Sequence, residues 1–77
     1  MPARVSGVEK NSIAEELEIQ EGDILLSIDS VIPQDMIDYN FLCKGEIVTV
    51  EIQKTNGEIE EIELEKDYDE DLGIIFE

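Results

Sequence analysis

Ser12-Ile13-Ala14-Glu15-Glu16-Leu17-Glu18-Ile19-Gln20-Glu21-Gly22-Asp23-Ile24-Leu25-Leu26-Ser27-Ile28 is the stretch that decides how the chain folds. It reads as a short capped helix, a polar link ending in a glycine turn, and an apolar strand. Ser12 is placed to accept from the amide of Glu15, and Glu15 to reach back to the amide of Ser12, the reciprocal pair of a capping box. Ala14 and Leu17, three apart, then share one helix face. The helix ends near Glu18, and Ile19 tucks under the link. Gly22 supplies a turn that a side chain would resist, and Asp23 can hydrogen-bond nearby amides there. The run from Ile24 to Ile28 is too apolar for a surface strand and suits a central one.

Upstream, Ala3 to Val8 reads as a short strand with Ala3, Val5 and Gly7 facing one way. Downstream, the strand from Asp23 to Asp29 is followed by Ser30-Val31-Ile32-Pro33, a short edge that must stop at Pro33, which has no amide to donate. A second helix follows, with Asp35 as N-cap, Asp38 as its acidic partner three residues on, and Gly45 as the stop. Met36, Ile37, Tyr39, Asn40, Phe41 and Leu42 recur on it at spacings of three and four. Glu46 to Gln53 alternates, with Val48, Val50 and Ile52 on one face.

Thr55-Asn56-Gly57 is a hairpin turn. A two-residue turn would place Ile62 and Leu64 on the wrong face. A three-residue loop with Gly57 left-handed sets Ile62 opposite Val50, Leu64 opposite Val48 and Glu58 opposite Lys54, and this register is the one predicted. An acidic loop from Lys66 to Asp71 leads to a last apolar strand, Leu72 to Phe76. These elements predict a small mixed α+β domain, a partly open barrel or sandwich of five or six strands with two helices.

Composition narrows what such a domain does. At 77 residues the chain is one domain, near the lower size limit for a core without staples. The single Cys43 forms no internal disulfide, and with no histidine it makes no structural zinc site. It reads as a small buried hydrophobe, and the lack of bridges fits a cytoplasmic location. Met1 reads as a natural start, with no secretory signal core after it. With 21 acids against five bases, net charge −16, no basic stripe exists to replace phosphate counterions, which argues against nucleic acid and equally against anionic membranes.

The ordered set Ser12-x-Ala14, Leu17, Gly22-Asp23 and an apolar run resembles the most recognisable segment of PDZ domains, bacterial ones especially, and the whole element order is similar to a circularly permuted PDZ domain. On that resemblance Asp71-Leu72-Gly73-Ile74 fills the place of the Gly-Leu-Gly-Phe loop. The amides of Leu72, Gly73 and Ile74 would hold a peptide's terminal carboxylate, while Ile74 and Phe76 line an apolar pocket with Met36, Ile37 or Asn40 from the second helix, and the peptide adds as a strand. The departures are Asp71 at the first glycine position, Lys66-Asp67 where a basic residue usually precedes the loop, and Asp69, Glu70 and Asp71 around the site, which should repel a carboxylate.

A second resemblance is more specific. Ala3-Arg4-Val5, Asp38-Tyr39-Asn40-Phe41-Leu42-Cys43 and Glu65-Lys66-Asp67 followed by Asp69-Glu70-Asp71-Leu72-Gly73 are similar to the N-terminal PDZ-like segment of a bacterial family that continues into a radical-SAM-type iron–sulphur oxidoreductase region. It implies that this chain is the front of a longer protein, that the iron–sulphur cluster and S-adenosylmethionine belong to the downstream region, and that Cys43 is not a cluster ligand.

The leading expectation is a non-catalytic interaction or docking module, monomeric as a fragment, whose partner is a protein or peptide or its own downstream domain. The alternative is a calcium-like cation site using Asp67, Asp69 and Asp71, whose carboxylates alternate as in calcium loops although the following glycine falls one place late. Enzymatic activity of the chain alone is discounted. It has no phosphate loop and no nucleophile with a base, and paired glutamates such as Glu61 and Glu63 read as solvated surface.

Overall fold

In the computed structural model, residues 3–77 are described; the reading of Met1 as a natural start lies outside them. The Ser12–Ile28 stretch forms the predicted helix α1 (Ile13–Glu16) and strand β2 (Ile24–Ile28). Ser12 is the N-cap, its Oγ accepting from the Glu15 amide at 3.2 Å. The return bond differs from expectation: Glu15 Oε1 accepts from the amide of Asn11, at 3.0 Å, and not from that of Ser12. Ser12 N–H is already given to the Glu9 carbonyl, and Asn11 sits at φ 63°, which swings its own amide toward the helix. The second helix, α2 (Met36–Leu42), repeats the device. Asp35 Oδ1 accepts from Asp38 N, and Asp38 Oδ2 accepts from the amide of Gln34 just before the cap.

Helix α1 stops after one turn because the chain turns left-handed at Glu18, φ 63°. The Ile19 amide bonds back to the Ala14 carbonyl and the Glu18 amide to that of Glu15. These are the two bonds of a Schellman stop, with glutamate where glycine is usual. Ile19, thrown inward, is buried.

The strands β1 (Ala3–Val8), β2, β3 (Ile47–Gln53), β4 (Ile59–Glu65) and β5 (Ile74–Phe76) form one open antiparallel sheet in the order β4-β3-β2-β1-β5. The apolar β2 is the central strand, as its composition predicts. Register across β3 and β4 also follows prediction: Val50 faces Ile62, Val48 faces Leu64, and Gly57 lies at φ 90°. Lys54 and Glu58 close the loop through Lys54 N to Glu58 O at 2.7 Å.

The short edge at Val31-Ile32 is not a strand. Asp29 and Ser30 both adopt positive φ, 49° and 67°, and Ile28 and Val31 exchange both backbone bonds at 2.9 Å. This is a two-residue primed turn; it leaves a single bridge and an exposed Val31 and Ile32. Asp29 is drawn off to β3, where its backbone and carboxylate bind both sides of Thr49. Pro33, two residues before the Asp35 cap, is fully buried and anchors the entry to α2. The last strand begins at Ile74 instead of Leu72. Leu72 is buried, and its carbonyl accepts from Ala14 N at 2.9 Å, one of the open amides at the start of α1.

One polar contact ties these parts. Asp23 is fully buried. Its backbone carbonyl accepts from Val5 of β1, and its Oδ2 accepts from Gln20 N at 3.0 Å and from Lys54 Nζ at 2.5 Å. Lys54 Nζ also donates to the carbonyl of Glu18, the left-handed residue, at 2.8 Å. Lys54→Met strands a buried carboxylate and is expected to cost about 3–5 kcal/mol, the whole stability of a domain this small, roughly 3–5 kcal/mol. Asp23→Ala should cost less, about 1–3 kcal/mol, because the Lys54 side chain is 15% exposed and can turn its ammonium to water. Urea denaturation of both variants checks the order; equal losses would contradict it. Glu18→Gly relieves the left-handed strain and should raise stability by about 1 kcal/mol, read as a higher midpoint in the same titration.

Candidate functional site

The loop after β4 and the start of β5 are placed by α1. Leu72 docks on the Ala14 amide, and the Gly73 carbonyl accepts from Glu9 N at 2.8 Å. Gly73 lies at φ +86°, and a Cβ there would overlap the Cβ of Ser12. Glycine is required at this point by both conformation and space. Strand β5 then pairs with β1 across a bulge at Ser6, whose hydroxyl donates to the Ile75 carbonyl at 3.1 Å.

The Gly73 carbonyl and the Glu77 amide both turn toward β1. Alternation along the strand therefore turns the backbone groups of Ile74 and Phe76 the other way, where the strand order ends. That free edge lies beside α2. Tyr39 of α2 meets Phe76 edge to face, with ring centroids 4.9 Å apart and planes at 82°.

A cavity of about 320 Å³ lies between the C-terminal end of α2, with Asn40, the cap Cys43 and Lys44 just beyond it, and the loop residues Tyr68, Asp69, Glu70 and Asp71 that lead into β5. Of the helix residues expected to line a pocket, Asn40 is there. Met36 and Ile37 are not: they lie a turn earlier, with Ile37 79% exposed. Together with Phe41, 74% exposed, they leave an uncovered apolar face on α2. Leu72 and Ile74 are brought to the site by backbone, their side chains being buried. Phe76 is half-buried against Tyr39. The cavity wall thus combines the apolar parts of Cys43 and Tyr68 with three loop carboxylates, Asp69, Glu70 and Asp71.

Asp71 acts directly on the predicted donors: its Oδ1 accepts from the Gly73 amide at 3.1 Å. Lys66 is buried, and its ammonium donates to the carbonyls of Asp67 and Tyr68 at 3.2 and 3.1 Å, stitching the loop. Lys44 Nζ reaches Asp69 at 4.0 Å in an exposed pair of little energetic weight. Glu70 accepts from Asp67 N. Among the described residues no three acidic or cysteine side chains converge to hold a metal ion, so Asp67, Asp69 and Asp71 are not gathered as a cluster. Cys43, Lys44 and Tyr68 were not singled out as site residues from sequence; for Cys43 and Lys44 the signal was their helix spacing from Asn40, at i+3 and i+4.

Burial pushes the Cys43 thiol from its usual 9.0 up to about 11, Asp71 and Asp29 adding to the rise while Tyr39 and Lys66 oppose it. Burial likewise holds the Tyr39 phenol well above its usual range. Both groups keep their protons longer folded than unfolded. The Cys43 contribution to stability is therefore complete below pH 9.0 and is lost as pH rises toward about 11, while that of Tyr39 begins to fall only above its usual 10.0. Thermal melts between pH 8 and 11 should show this fall (about two pH units wide for the thiol), and Cys43→Ala should remove part of it; an identical slope in the variant would contradict the assignment.

A model of the PDZ domain family matches residues 4–54, from β1 to Lys54 after β3. The matched region includes both helices; β4, the acidic loop and β5 lie outside it. No curated protein matches the chain as a relative. Among the described residues no helix is long and apolar enough to cross a membrane. The match spans well over half of the chain and the fold agrees with it: the chain belongs to the PDZ domain family of protein-interaction modules.

Proposed function

We propose that the chain is a docking module in which an extended segment of a protein partner adds as a further strand to β5, in the groove beside α2. The observation that carries this reading is the outer edge of β5, with the Ile74 and Phe76 backbone groups turned away from β1. It rests on a strand at the opposite end of the sequence from β1 yet paired to it, which supports a circularly permuted element order.

The finer reading joins this groove to a longer protein. The Asp38-Tyr39-Asn40-Phe41-Leu42-Cys43 and Glu65-Lys66-Asp67 runs support a bacterial, cytoplasmic parent whose downstream region is a radical-SAM-type oxidoreductase, and the module contacts that region. The iron–sulphur cluster and S-adenosylmethionine would be bound there, and no residue of this chain is assigned to them. The acidic loop is read as a charged groove wall in preference to a calcium site, because Asp71 caps an amide and Asp69 faces Lys44.

The test is a titration of the isotope-labelled chain with the downstream region and with extended peptides, followed by amide NMR shifts. Saturable shifts centred on Ile74, Phe76 and Asn40 are expected. Saturable binding that leaves β5 untouched, or no saturation with any of these partners, would overturn the reading.

A further inference from the structure

Asp71 puts a carboxylate on the amide where an incoming terminal carboxylate would have to bind. Its Oδ1 caps Gly73 N–H at 3.1 Å, immediately before the free edge of β5. A second carboxylate would have to displace it and would then face Asp69, Glu70 and Asp71 at close range. The nearby cations do not offset this. Lys66 is turned inward onto backbone carbonyls, and Lys44 is a solvated partner of Asp69. The cavity of about 320 Å³ is roomy enough for one long side chain. Its loop wall carries the carboxylates of Asp69, Glu70 and Asp71, and its helix wall carries Asn40 and Cys43. A cationic head group finds acceptors there, whereas an anionic one finds charge of its own sign. The net charge of −16 extends the same preference over the surface.

We propose that the groove selects an internal extended segment carrying a lysine or arginine, not a chain terminus: the segment's backbone pairs with β5, and its cationic side chain enters the cavity between the C-terminal half of α2 and residues 68–71. This rests on the docking reading above and names its ligand class.

The test uses the full chain and three fluorescent pools of extended peptides with N-acetyl caps. One has a central Lys or Arg and a C-terminal amide. The second is identical with a free carboxylate. The third is amidated with a central Glu. The wild-type chain should bind the basic amidated pool at least about tenfold more tightly than the acidic one, gain nothing from the free carboxylate, and lose its preference as salt rises. Asp71→Ala, which vacates the Gly73 amide, should raise affinity for the free-carboxylate pool about tenfold or more and weaken the basic amidated pool. Asp71→Asn keeps an acceptor on that amide and removes the charge, so it should weaken the basic pool without favouring the free terminus. Tighter wild-type binding of the free-carboxylate pool, equal binding of basic and acidic pools, or unchanged ratios in both variants would overturn the selectivity and leave docking standing. Failure of all three pools to bind any form would overturn the docking reading itself, and this inference with it.

Discussion

The buried pair of Asp23 and Lys54 is the contact on which the rest of the structure depends. Through backbone, Asp23 extends the pairing of β1 with β2, the Val5 amide reaching its carbonyl. Through its carboxylate it holds the link after α1 and the end of β3. The same ammonium secures the carbonyl of Glu18, so the strained left-handed stop of α1 is fixed by a charge just past the end of β3. A carboxylate with no exposure survives only with such partners. Among the described residues its Oδ1 has no partner, so the arrangement relies all the more on Oδ2.

From that node the path to the site is short. A helix held to a single turn keeps its N-terminal amides and Ser12 in place for Leu72 and Gly73 to dock against. That docking sets where β5 begins, hence which of its backbone groups face β1 and which face outward. The groove is therefore built at α1, although none of the α1 residues lines it. The acidic loop completes it, with Lys66 pinning the loop from inside so that Asp71 reaches the Gly73 amide.

Much of this was legible in the residues. The capping serine, the central apolar strand, the Asp35 cap and the β3–β4 register follow from local chemistry and from the period-two pattern. The failures share a cause. Glu15 bonding Asn11, the primed turn at Asp29-Ser30 and the start of β5 at Ile74 each depend on which amides other segments had already claimed. In the candidate site, Asn40 lines the cavity, and Leu72-Gly73-Ile74 leads from the acidic loop into β5. Met36 and Ile37 were not separable from Asn40 by helical spacing, because spacing marks a face and not which end of it the loop covers.

Sequence alone thus determined the elements, their order, the strand register and the acidic character of the loop, because caps, glycine turns and alternating side chains act over a few residues. Only the tertiary structure decided that a carboxylate from the loop occupies the Gly73 amide, that Phe76 meets Tyr39 edge to face, and that Lys54 neutralises Asp23. Those contacts join residues far apart in the chain or depend on the exact path of a turn, and their partners are chosen by packing and by competition for buried hydrogen bonds, neither of which is written in any one stretch.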